Sequence, residues 1–251
     1  MPTRSRACTR AWTCGSTTDA RSSRVAKSVT AVDRRYRFVY KPLLFALCLI
    51  PFLGCAGGIL AQSGFPRMPG YALGADPVRF VLDDFGKTAL RMLLLTLAVT
   101  PLRHLSGNSQ LLRVRRMLGL FAFFYALMHF CVYVGPFQSL SWSLIAQDIV
   151  KRPFITIGFT ALLLLVPLAV TSTNGMMRRL GRRWQQLHRL IYPVAMLAVL
   201  HFWKMLKSDY REPLIYAAIL ALLLGARLWR RYRRARAATS TSVPPTAPER
   251  T

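Results

Sequence analysis

The sequence predicts an all-α membrane protein: a bundle of six transmembrane helices with both termini on the cytoplasmic side. Three observations carry this. Of 251 residues, 53% are hydrophobic, and they fall in blocks of about 17–20 residues, the length that crosses a bilayer. The chain also carries 35 Lys and Arg against 9 Asp and Glu, a net charge of +26, and those charges lie between the blocks. Finally, the basic residues alternate from loop to loop, as the positive-inside rule requires. A nucleic-acid binder would account for the charge but not for the apolar runs, and a soluble domain rarely combines the two. Mean hydropathy is +0.31.

The expected spans are Pro42–Ala61, Phe85–Leu102, Met117–Val134, Phe154–Thr173, Leu187–Trp203 and Pro213–Trp229. The first has no charge. The second is interrupted by Lys87 and Arg91, and the sixth holds Arg227 near its end. Bases cluster in the N-terminal flank (Arg34, Arg35, Arg37, Lys41) and in the loop with Arg103, Arg113, Arg115 and Arg116. They cluster again in the loop from Arg178 to Arg189 and in the flank from Arg230 to Arg236. The alternate loops hold Asp76, Asp83, Asp84, Asp148, Asp209 and Glu212. This domain is expected over residues 38–235. The Arg-, Ser- and Thr-rich segment 1–37 and the tail 236–251 have the composition of disordered chain.

Five cysteines, Cys8, Cys14, Cys48, Cys55 and Cys131, form no CxxC pair, so neither a disulfide framework nor a zinc site is expected. There is no GxGxxG and no phosphate-binding loop. Nucleotide chemistry is therefore not expected from this sequence.

The histidines are the informative residues, because an ionisable group inside a span needs a partner. His129 lies twelve steps into the third span and His201 eleven steps past Leu190, ~18 Å and ~17 Å from the inner edge at ~1.5 Å per residue. Two imidazoles at one depth on different helices suit axial ligation of a haem iron. Ordinary hydrogen bonding to neighbouring helices is the alternative. His188 is ~20 Å closer to the cytoplasm, and His104 ends the second span. On an ideal helix His188 and His201 point to different faces, although a kink at Pro193 could change that. The positions on the third span at His188's depth are Arg115 and Arg116. These can hold an oxyanion such as a haem propionate, a flavin phosphate or a reduced quinone, or act only as positive-inside anchors. His104 with His188 is a further possible pair. The cluster Thr171, Ser172, Thr173 and Asn174 would cap the fourth span with polar groups.

Several segments together resemble one family. They are "ALGADPVRF" (72–80), "GKTALRMLLLTLAVTPLR" (86–103), "RVRRMLGLFAFFYALMHFCVY" (113–133), "LAVTSTNGMMRRLGRRWQQLHRLIYPVAMLAVLHFWK" (168–204) and "PLIYA" (213–217). In order and spacing they resemble the MsrQ (YedZ) family of haem-binding membrane subunits with a ferric-reductase-like transmembrane domain. The resemblance covers about residues 38–235. It implies a bacterial inner-membrane electron-transfer subunit carrying haem b and FMN. Such a subunit passes electrons from the quinone pool to a periplasmic MsrP-like molybdopterin enzyme that reduces methionine sulfoxide in oxidised proteins. It also implies that the family's three characteristic histidines are His129, His188 and His201, with His104 outside the pattern. A self-contained ferric reductase or oxidase is the second expectation, and a cofactor-free transporter or scaffold the third.

Overall fold

A computed structural model describes residues 38, 40–62, 75–107, 111–206 and 210–240. Segment 1–37 and residues 241–251 of the tail lie outside the described residues. The chain divides into the units Met1–Leu47 and Cys48–Thr251; the helix packing and the site belong to the second.

All regular structure among the described residues is helical. This is the expected outcome for apolar segments, since in lipid each backbone N–H and C=O must be satisfied within its own helix. In chain order the helices are α1 (Lys41–Gln62), α2 (Pro77–Ser106), α3 (Leu111–Val132), α4 (Trp142–Lys151) and α5 (Pro153–Val170). They continue with α6 (Asn174–Leu180), α7 (Arg182–Leu187), α8 (Ile191–Met205) and α9 (Arg211–Ser240). A π-helical turn, Tyr133–Phe137, extends α3, and a 3₁₀ turn, His188–Leu190, joins α7 to α8.

Helix boundaries follow local chemistry. Asp76 caps α2 by accepting a hydrogen bond from the Arg79 amide at 3.0 Å, with Pro77 in the first turn. Gly107, at φ 68°, closes it by donating to the Arg103 carbonyl. Pro153 opens α5, and Thr173 caps α6.

Five helices are long and apolar enough to cross a membrane: Lys41–Ala61, Pro77–Ser106, Arg113–Phe137, Pro153–Val170 and Arg211–Arg236. The expected fifth span differs. The chain from Arg182 to Met205 is broken by the 3₁₀ turn, leaving α8 only 15 residues long. Pro193 falls in the first turn of α8, where its missing N–H costs little. It thus sits at a helix start rather than at a mid-span kink. Yet α8 is deeply packed, with Val194 and Ala195 at 0% exposure. Two further differences are α4, which the apolar-run criterion did not anticipate, and α9, which continues past Trp229 to Ser240.

Two apolar cores position the site. One joins Leu90, Leu93 and Leu97 of α2 to Ala122 of α3, Leu165 of α5, Val194, Ala195 and Phe202 of α8 and Leu220 of α9. The other packs Cys55 of α1 and Phe85 of α2 around Tyr125 of α3. The Tyr125 hydroxyl donates to the Cys48 carbonyl at 2.6 Å and accepts from the Phe52 amide at 3.2 Å, tying α3 to α1.

Contacts set the helix directions. Leu82 meets His129 while Thr96 meets Gly119, so α2 and α3 are antiparallel. Phe154 meets His201 while Ser172 meets His188, so α5 and α8 are antiparallel as well. Lys87 pairs with Glu212, Arg91 with Tyr216 and Arg227 with the Leu97 carbonyl, so α2 and α9 run parallel. The bundle therefore has a histidine end (Leu82, His129, Phe154, His201) and an arginine end (Leu97, Arg115, His188, Arg227).

A paired-histidine cavity and a second polar layer

His129 on α3 and His201 on α8 face each other, with ring centroids 6.3 Å apart and planes at 81°. Each is oriented by a neighbouring helix. His129 Nδ1 lies 2.8 Å from the Leu82 carbonyl oxygen, and His201 Nδ1 lies 2.6 Å from that of Phe154. A carbonyl can only accept, so each Nδ1 carries the proton and each Nε2 keeps its lone pair. Fixing one nitrogen in this way is how proteins orient imidazoles for metals.

A glycine makes each close approach possible. A Cβ on Gly86 would stand 3.0 Å from His129 Nδ1, and one on Gly158 would stand 2.7 Å from His201 Nδ1. The two halves repeat: Leu82 and Phe154 each precede their histidine by 47 residues, and Gly86 and Gly158 each precede it by 43. The common level of His129 and His201 was legible in the sequence; this recurring glycine–histidine spacing was also present there and is the signal that could have found Gly86 and Gly158.

The rings line a cavity of about 730 Å³, within the ~300–1,000 Å³ typical of ligand sites. Its walls are apolar (Leu90, Ala126, Phe159, Val194), and its lining also includes Arg79, Asp83, Lys87, Tyr133 and Arg152. Beside it, Asp148 accepts from Tyr133 at 3.0 Å and from Gln138, and pairs with Arg152 at 3.0 Å. This network joins the π turn, α4 and α5.

The pair fits a haem. With a metal–imidazole bond of ~2 Å and a ring centre about 1 Å behind its nitrogen, two opposed ligands have centres ~6 Å apart; the observed separation is 6.3 Å. An apolar cavity with cations in its lining also suits a planar macrocycle bearing two carboxylates. Among the described residues, no cluster of three or more His, Cys, Asp or Glu suggests a different metal site. Cys48, Cys55 and Cys131 are free thiols.

His188 is not brought to this pair. It occupies the 3₁₀ turn before α8, thirteen residues and ~20 Å from His201. Its ring stacks on Trp184 at 3.9 Å, its Nδ1 lies 3.1 Å from the Trp184 carbonyl, and its Nε2 lies 3.4 Å from Ser172 Oγ. Outside the membrane-spanning helices, partial burial lowers the His188 pKa, and the nearby Arg115 guanidinium lowers it further, against the backbone acceptor. Arg115 is thus near enough for its charge to act on His188. Arg116 instead donates to the Asn174 side chain, so it holds α6 against α3. His104 faces the charges of Arg230 and Arg234 on α9, not His188. The expected polar cap is largely structural: Thr171 and Ser172 bond back to the carbonyls of Pro167 and Leu168, and Trp184 donates to the Thr171 carbonyl at 2.9 Å.

Comparison with known proteins agrees with this geometry. Residues 85–199 match the family "Ferric reductase like transmembrane component", a stretch containing Gly86, His129, Gly158 and His188 and ending just before His201. Similar proteins include the protein-methionine-sulfoxide reductase heme-binding subunit MsrQ of Xanthomonas campestris. It is 58% identical over 179 residues, covering 71% of this chain and 82% of the relative. MsrQ of Xanthomonas oryzae is 50% identical over 228 residues, covering 90% and 100%. MsrQ of Ralstonia nicotianae is 52% identical over 196 residues, covering 77% and 86%. With half or more of the aligned residues identical over most of both chains, this chain belongs to the MsrQ family.

Proposed function

We propose that this chain is a b-type cytochrome subunit of the bacterial inner membrane that carries electrons across the bilayer to a methionine-sulfoxide reductase partner. The observation that carries this reading is the His129–His201 pair, with both Nδ1 atoms held by backbone carbonyls and ring centres 6.3 Å apart across a cavity. In it, His129 and His201 hold haem b through Nε2, and the bound haem supplies a one-electron relay.

The chain crosses the membrane six times, with α8 as the fifth and most deeply packed crossing and both termini cytoplasmic. The alternation of basic loops and the observed helix directions support this. The histidine end then faces the periplasm and the arginine end the cytoplasm. His188, Arg115 and Arg116 belong to the electron entry layer, which takes electrons from quinol, directly or through FMN. Guanidinium groups there suit an anionic quinone, propionate or phosphate.

The partner is an MsrP-like molybdopterin reductase in the periplasm, and the names of the relatives support a reductase partner. The overall chemistry balances. Quinol oxidation releases two electrons and two protons. Reduction of a sulfoxide to a thioether consumes two electrons and two protons and yields water.

The test is a redox-titrated absorption spectrum of the purified protein with haem and flavin per chain, together with quinol-dependent sulfoxide reduction in membranes lacking and containing it. A preparation without haem bands, or His129→Ala His201→Ala with an unchanged spectrum, sinks the proposal.

A further inference from the structure

The residues around the histidine cavity are sorted by level. At the histidine level and outward of it, the lining carries Arg79, Asp83 and Lys87 of α2, Tyr133 of the π turn and Arg152 just before α5. Inward of that level the lining is apolar, with Leu93 of α2, Leu165 of α5 and Val194 of α8. The sorting holds on each wall. α2 and α5 run inward from the histidine level, and α8 runs outward to it.

Three lining cations face one lining carboxylate, Asp83. Two of the cations are held from behind by carboxylates that are not part of the lining. Glu212, at the start of α9, takes Lys87 at 2.7 Å, and Asp148 takes Arg152 through Nε at 3.0 Å. Asp148 is itself fixed by Tyr133 at 3.0 Å and by Gln138. An ammonium has three donors and a guanidinium five, so one such contact leaves each cation with donors for a second acceptor. Lys87 and Arg152 also come from opposite walls. α2 stands behind His129, and the start of α5 stands behind His201.

A haem is polar on one edge only, where it bears its two carboxylates. An ionised carboxylate set among Leu93, Leu165 and Val194 is strongly unfavourable. The outer lining offers it charge-assisted hydrogen bonds instead. We propose that Lys87 and Arg152 bind the two carboxylates of the haem held by His129 and His201, one from each wall, with Arg79 adding positive potential at the mouth. The carboxylate edge then stands at the histidine end, and the hydrocarbon edge is buried toward the arginine end. The edge by which electrons leave for an acceptor at the histidine end is therefore the carboxylate edge. This rests on the haem reading above and adds the orientation and its anchors.

The test uses the full chain purified from haem-starved cells as wild type, Lys87→Gln, Arg152→Gln, the double variant, Arg152→Lys and Arg115→Gln. Each is loaded with haem and with haem dimethyl ester, whose carboxylates are neutral. Wild type prefers haem over the ester by about tenfold or more, the usual worth of a charge-assisted contact. Each single glutamine variant at Lys87 or Arg152 loses a share of that preference, and the double variant loses it altogether. Arg152→Lys keeps part of what Arg152→Gln loses, and the paired-imidazole spectrum survives in all of them. No preference in wild type, or a preference kept in the double variant, overturns the proposal. A preference lost in Arg115→Gln and kept in the double variant also overturns it, because the carboxylates then face the arginine end. If the double variant does not accumulate, haem loss to a scavenging apoglobin is timed for the two single variants made in haem-replete cells. Faster loss than wild type from both bears the proposal out, and wild-type rates overturn it. Wild type that takes up neither haem nor its ester refutes the haem reading itself, a result distinct from all of these.

Discussion

Substituting Gly158 with alanine tests whether the glycine is what lets His201 take its orientation. The added Cβ would stand 2.7 Å from both His201 Nδ1 and Cε1. Ordinary carbon contacts begin near 3.5 Å, so the ring must retreat by about 0.8 Å. The Phe154 carbonyl that orients the ring lies on the same helix, at 2.6 Å from Nδ1. A retreat of that size stretches the bond beyond ~3.2 Å, the end of the useful range. Overpacking of this kind costs ~1–3 kcal/mol, partly offset by the better helix propensity of alanine, up to about 1 kcal/mol. The net loss is about 1–2 kcal/mol, or roughly five- to thirtyfold in the population of the competent site.

Gly86→Ala should do less, because its Cβ would meet His129 at 3.0 Å. Gly225→Ala meets nothing within 4 Å and serves as the control. The assay is haem per protein and thermal stability in detergent. The expected order, from worst to best, is Gly158→Ala, Gly86→Ala, wild type, Gly225→Ala. If Gly158→Ala loads haem and melts like Gly225→Ala, the close approach is not what holds the ring.

Other consequences come from the same geometry. His129→Ala or His201→Ala should each remove the absorption of a paired-imidazole haem, whereas His104→Ala, which faces Arg230 and Arg234, should leave the visible spectrum unchanged. Tyr125→Phe leaves the buried Phe52–Cys48 backbone region without its bridging hydroxyl; a loss of ~1–3 kcal/mol in thermal unfolding is expected, with haem content retained. Glu212→Gln breaks the 2.7 Å pair with Lys87, but both side chains are substantially exposed. Its effect on stability should stay below ~1 kcal/mol and shrink with added salt.

Much of the fold was legible because the bilayer enforces it. A run such as Pro42–Ala61, free of charge, has few alternatives to a helix, and helices begin and end close to the expected limits at α1 and α5. The fifth span is the exception. The apolar run before Trp203 reads as one span, but the 3₁₀ turn at His188–Leu190 shortens its helix to 15 residues. Run length measures apolarity; it does not report where backbone hydrogen bonding changes register. α4 escaped the same criterion because its apolar residues lie on one side of a short, amphipathic helix.

The sequence by itself determined the class of protein, the common level of His129 and His201 along the bundle and the kinship with one family. Axial rise along a helix is constant, so depth can be counted from residue numbers. Rotation, tilt and the choice of neighbours depend on how several helices pack together, and only the tertiary structure decided those. It brought His129 to His201, separated His188 from both, gave Arg116 to Asn174, and carried Arg227, read in the sequence as a charge near the end of a span, to the Leu97 carbonyl of a neighbouring helix.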